Sequence, residues 1–176
     1  GRAYRVETLA EHMIVESDNL AARALHGVIT FPQVSATLAA LAFPIPEQPR
    51  PDSEFVTVDH YARLFEVLYN ATYLGPEMSA KALAWLAAAD TALGLVDGTP
   101  PGVRVAHKFG ERELPAAPEL WREQFHDCSI VYHPRRPYVL CVMSAGETQM
   151  GLAEAVAETA RRVYAEVERQ TGPVSE

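Results

Sequence analysis

Residues 126–146 read HDCSIVYHPRRPYVLCVMSAG. Two runs rich in β-branched and aromatic residues, CSIVYH at 128–133 and YVLCVM at 138–143, flank Pro134-Arg135-Arg136-Pro137. Each run is too short for a stable helix, and the prolines between them restrict the chain and remove backbone donors, so the stretch predicts a β-hairpin. Upstream, VRVAH at 103–107 predicts a third strand. Downstream, Leu152, Val156, Ala160, Val163 and Val167 recur at helical spacing, which predicts a final amphipathic helix lying on the sheet.

The first half has a different period. Val6, Leu9, Ala10, Met13 and Ile14 line one side of a helix, and a second runs from Ser17 through Leu25 until Gly27 ends it. Pro32 suits the first position of a helix whose apolar side uses Val34, Leu38 and Leu41 and which stops before Pro44. FPIPEQPRPDSEF at 43–55, with prolines at 44, 46, 49 and 51, predicts an irregular but rigid surface loop. Thr57 then caps a helix using Tyr61, Leu64, Phe65 and Leu68, and Pro76 opens another that buries Leu83 and Leu86. Helices first and antiparallel strands later give an α/β (α+β) class, a helical region plus an antiparallel sheet flanked by helices, with no internal repeat.

At 176 residues, 48% hydrophobic and 22% charged, the chain has enough material for one core and predicts a single domain over 1–176. Its net charge of -8 with scattered Lys and Arg argues against nucleic acid or an anionic membrane as partner and leaves a small-molecule or peptide substrate. No apolar run approaches the ~18 residues of a membrane span, and the first residues carry no signal-peptide pattern. Cys128 and Cys141 cannot build a disulfide framework and read as buried free thiols; they meet only if their strands pair in the right register. The six histidines, at 12, 26, 60, 107, 126 and 133, offer no H-x-x-x-H and no Cys/His quartet, so no metal ion or other cofactor is expected. His126-Asp127 reads as a pair ending a loop and bonding backbone, in preference to a catalytic dyad.

Two short motifs stand apart from this pattern. Ser17-Asp18-Asn19 falls at a helix junction, and Lys108-Phe109-Gly110 falls at a strand end about ninety residues later, preceded by His107 and followed by the hairpin and the terminal helix. TVDHYARLFEVLY at 57–69 lies between them. In order, spacing and context the set resembles the S-D-N and K-T-G boxes of the class A β-lactamases and penicillin-binding proteins, a family of serine hydrolases. The resemblance covers essentially the whole chain. It implies a β-lactamase/transpeptidase-like fold and acyl-enzyme chemistry on a β-lactam, a D-Ala peptide or a related amide or ester.

By the same resemblance, Ser17 relays a proton to the departing nitrogen and Lys108 supplies positive charge beside the reacting centre. Asn19 orients the substrate amide, Gly110 allows close backbone approach, the N–H of Glu111 donates to the oxyanion, and Asp18 braces the loop. Glu111, Arg112 and Glu113 read as a solvated turn, with Arg112 an alternative partner for a substrate carboxylate. A bacterial protein of the periplasm or the cell exterior is implied.

The sequence departs from the family pattern in three ways. No S-x-x-K is present: sixteen residues precede Ser17, and Lys81 and Lys108, the only lysines, follow Met78 and Val105 at the position where the nucleophile would stand. The expectation is therefore an N-terminally incomplete domain without the first helix and first strands. A companion fragment or a homodimer would then complete the sheet beside 138–143, whose edge is otherwise open. Phe109 stands where Thr or Ser would hydrogen-bond a substrate carboxylate. Neither Glu47 nor Glu54 has Asn four residues later, so the arrangement that activates a deacylating water is missing. A non-catalytic, ligand-binding domain of the same fold is the alternative reading.

Overall fold

The computed structural model describes residues 3–43, 56–89, 91–113 and 123–172. The proline-rich loop, with Glu47 and Glu54, lies outside the described residues. The chain forms two compact units, Gly1–Asp90 and Thr91–Glu176.

Five helices make the first unit: α1 (Val6–Val15), α2 (Asn19–His26), α3 (Phe31–Ala40), α4 (Val58–Tyr69) and α5 (Pro76–Ala87). Their ends follow local chemistry. Thr30 N–H donates to Gln33 Oε1 at 2.8 Å, His60 N–H donates to Thr57 Oγ1 at 3.3 Å, and prolines occupy the first turns of α3 and α5, where a missing N–H costs nothing. Gly27 closes α2 at φ -71, without the left-handed conformation expected of a terminating glycine. The interior is modest: Ala21, Leu25, Leu41, Phe43, Phe65, Leu83 and Leu86 are buried. Lys81 Nζ donates to Glu7 Oε1 at 2.6 Å and ties α5 to α1.

The second unit is an antiparallel sheet of β1 (Val105–Glu113), β2 (Glu123–Val131) and β3 (Tyr138–Gly146), in the order β1-β2-β3, followed by α6 (Gln149–Thr171). All three strands outrun the apolar stretches that announce them. β1 continues through Glu111, Arg112 and Glu113, which are strand residues and not a solvated turn, because each has a register partner on β2: Phe125, Gln124 and Glu123. Main-chain pairing carries a strand past the point where its side chains cease to be apolar. Lys108 accordingly sits in mid-strand and not at a strand end.

Leu95, Phe125, Ala153, Val156 and Ala160 form the core between sheet and helix, with Phe109, Leu140, Val142 and Leu152 packed around it. Leu95 belongs to a turn pressed onto α6 at Gly98, where any Cβ would overlap the Ala157 carbonyl; glycine is required there for contact and not for φ. In the register, Lys108 is opposite Cys128 and Cys128 is opposite Cys141. The expectation of free thiols is corrected: Cys128 and Cys141 are joined as a disulfide across β2 and β3. Among the described residues β3 pairs only with β2, so its outer edge carries no strand.

Candidate functional site

In the first unit the SDN residues form the two-residue link and the opening of α2. α1 closes at Glu16, whose N–H bonds His12 O, and Asp18 N–H donates to the same carbonyl at 3.2 Å. To make that reversal Ser17 takes φ 53, left-handed backbone that a residue with a Cβ adopts at a cost and that concentrates at functional sites. Asp18 caps α2. Its Oδ1 accepts from Leu20 N–H at 2.7 Å and Ala21 N–H at 3.3 Å, satisfying two amides that the helix leaves without partners. Asn19 opens the helix with its side chain exposed, while Ser17 is half-buried.

In the second unit β1 carries the other motif. Lys108 is half-buried; its Nζ donates to Phe109 O at 3.2 Å and lies 4.9 Å from the centre of the Phe109 ring. Burial pulls the Lys108 ammonium below the ordinary lysine range, and the negative charge of Asp127 works against that. Phe109 stacks on Phe125 with centroids 5.9 Å apart, so the ring in the place of a hydroxyl is an extension of the core. Gly110 is exposed, and a Cβ there would meet nothing within 4 Å; this point on the β1 edge is open to a ligand's backbone.

Sequence reading missed one cluster. Asp127 does not pair with the neighbouring His126, whose Nδ1 accepts from Ser144 N–H at 3.2 Å. Side chains of adjacent strand residues point to opposite faces. The partner of Asp127 is His107, with Nδ1 at 3.0 Å from Oδ1, and Leu95 N–H donates to Oδ2 at 2.9 Å. Both side chains are essentially inaccessible. The signal was present: a carboxylate inside the apolar run FHDCSIV must find a buried donor.

The sequence model of the Beta-lactamase enzyme family matches residues 1–167. The chain belongs to that family. No curated protein matches it. Among solved structures it is similar to PBP-A (TM-score 0.76, 20% identity, 94% of this chain and 62% of that one). It is similar also to a β-lactamase from Chitinophaga pinensis (TM-score 0.79, 15% identity, 95% and 66%) and to a class A β-lactamase from Bacteroides cellulosilyticus (TM-score 0.76, 19% identity, 92% and 63%). At these identities the likeness establishes the fold: a helical region with a three-stranded antiparallel sheet of the β-lactamase type. The chain spans less than two thirds of the length of these proteins. No described helix of this family member is long and apolar enough to cross a membrane.

Proposed function

We propose that this chain is the SDN- and lysine-bearing part of a serine acyl hydrolase, acting through an acyl-enzyme on a β-lactam, a D-Ala peptide or a related amide or ester. The family match over residues 1–167 carries this reading. A solved relative, the L158E mutant of PBP-A, is an acyl-enzyme complex with penicillin G. The nucleophilic serine and its lysine, absent from these residues, would stand on a companion segment. The chain by itself would turn over little or no substrate.

In the proposed chemistry the serine oxygen attacks the carbonyl carbon, the C–N bond breaks, and the nitrogen leaves with a proton passed through the Ser17 hydroxyl. Asn19 offers a carboxamide to the substrate amide. Lys108 brings positive charge, and the backbone at Gly110 and Glu111 receives the carbonyl oxygen as it becomes an oxyanion. Water then cleaves the ester. Phe109 would supply an apolar wall and no hydrogen bond to a carboxylate, so a β-lactam and a D-Ala peptide would each lose a donor there. Substrates of this kind place the protein in the periplasm or outside a bacterial cell.

A second reading, a ligand-binding domain without catalysis, draws support from the Phe109 ring stacked on Phe125 where the family has a hydroxyl. Intact mass of every species in the purified protein, with and without excess penicillin, separates the two. A companion polypeptide, or a longer form of this one, that gains one penicillin mass supports acyl transfer. A companion polypeptide or longer form that carries the Ser-x-x-Lys element and stays unmodified by penicillin overturns it and leaves the binding domain.

A further inference from the structure

Lys108 and Phe109 are neighbours on β1, and the side chains of adjacent strand residues leave on opposite faces. Lys108 is opposite Cys128 in the register and Phe109 is opposite Asp127, so the two stems start on different sides of the sheet. Their ends nevertheless meet. Lys108 Nζ donates to Phe109 O at 3.2 Å and stands over the Phe109 ring, 4.9 Å from its centre, within the ~6 Å at which a ring face attracts a cation. β1 is an outer strand of the sheet among the described residues, and the flexible lysine stem can turn around its edge.

The ring is itself fixed. Phe109 stacks on Phe125, with centroids 5.9 Å apart and planes 19° from parallel, and Phe125 is a fully buried member of the core beneath α6. A ring already ordered by the core loses little further side-chain freedom in holding a cation. Lys108 is half-buried, and an ammonium with part of its water removed gains more from a ring than an exposed one does. A threonine, as in the K-T-G box, would offer no such surface. Gly110 comes next, exposed and with open space around its Cα, so the contact keeps the positive charge beside the part of β1 that a ligand's backbone can approach.

We propose that Phe109 is a positioning residue for Lys108: its ring, anchored on Phe125, and its carbonyl hold the ammonium beside Gly110. The inference rests on the role given to Lys108 above, yet its test requires no turnover. Lys81 and Lys108 are the only lysines, so protein made with carbon-13 lysine gives two sets of ε-methylene signals, and Lys81, paired with Glu7 in the other unit, is the internal control. The Lys108 ε-protons are expected upfield of those of Lys81, displaced by the ring current of Phe109, with nuclear Overhauser contacts to the ring protons. Phe109→Leu keeps an apolar side chain against Phe125 and removes the ring. It should return the Lys108 signal to the ordinary lysine position and move its titration midpoint to lower pH, while Lys81 stays fixed. A Lys108 signal and midpoint unchanged in a folded Phe109→Leu protein overturn the proposal. Should that variant fail to fold, the wild-type spectrum decides: undisplaced Lys108 ε-protons without contacts to the ring overturn it. The expected displacement in a protein whose Ser-x-x-Lys-bearing form takes up no penicillin would defeat the acyl-transfer reading and leave the role of Phe109 intact.

Discussion

The two units spend their apolar residues differently. In the first, α1 and α3 bury no residue at all, and large side chains such as Leu20, Val28, Phe31 and Val6 remain exposed. In the second, Leu95, Phe125 and Val156 have no exposed surface, and even the polar groups of His107, Asp127 and His133 are enclosed. The helical unit is thus defined by its caps and prolines, each acting over a few residues. The sheet unit is defined by register and by a dense interface with α6. Substitutions should cost most where order is set at long range and least where it is set locally.

The sharpest contrast is Phe125→Ala against Leu20→Ala. Phe125 anchors the core and stacks on Phe109, so its truncation should remove about 3–5 kcal/mol. Leu20, at 74% exposure, should lie within about 0.5 kcal/mol of wild type. Urea midpoints measure both. A Leu20→Ala loss comparable with that of Phe125→Ala would break the comparison, because it would show that the helical unit's exposed face is packed in the protein.

Within the first unit, the largest local effect is expected at a cap. Asp18→Ala removes the acceptor of two amides at the start of α2 and should cost about 1 kcal/mol. Asp18→Asn, which keeps an acceptor oxygen, should recover most of it. A loss far above this in thermal unfolding would mean that Asp18 holds more than the helix end. An equal loss in both variants would point to its charge.

Legibility in the sequence follows the same division. Every helix was readable, and Thr57, Pro32, Pro76 and Thr30 sit at helix starts, since capping acts within one turn of the chain. Strand extents were not readable, because Glu111–Glu113 and Glu123–Gln124 are held by partners that no local pattern reveals. The SDN link was visible as a motif, whereas the left-handed backbone of Ser17 was not: nothing in a serine demands it. Of the buried polar cluster, Asp127 was visible and its partner was not. His126 was nearer in sequence, but the alternation of a strand turned it to the other face, and His107 became a neighbour only through the β1–β2 register.

The smallest effect at neutral pH, and the most specific, belongs to Tyr138 at the start of β3. Its hydroxyl is buried and has no hydrogen-bond partner, and burial pushes its ionisation up from 10 to about 12, with Tyr164 adding to the rise. The sign follows from proton counting. Between pH 10 and about 12 the unfolded chain has lost the phenolic proton and the folded chain keeps it, so the stabilisation present below pH 10 is lost as pH rises through that window. Tyr138→Phe removes both the unsatisfied hydroxyl and the titration. Near pH 7 the variant should match or slightly exceed wild type, and above pH 10 its stability should fall less steeply. Burial lowers Lys108 in both proteins alike, so its opposite contribution cancels in the difference. Urea unfolding of the two proteins at pH 7 and pH 11 measures that difference. Parallel losses would show that the hydroxyl reaches solvent and that the sheet unit is less tightly closed at this end than around Phe125.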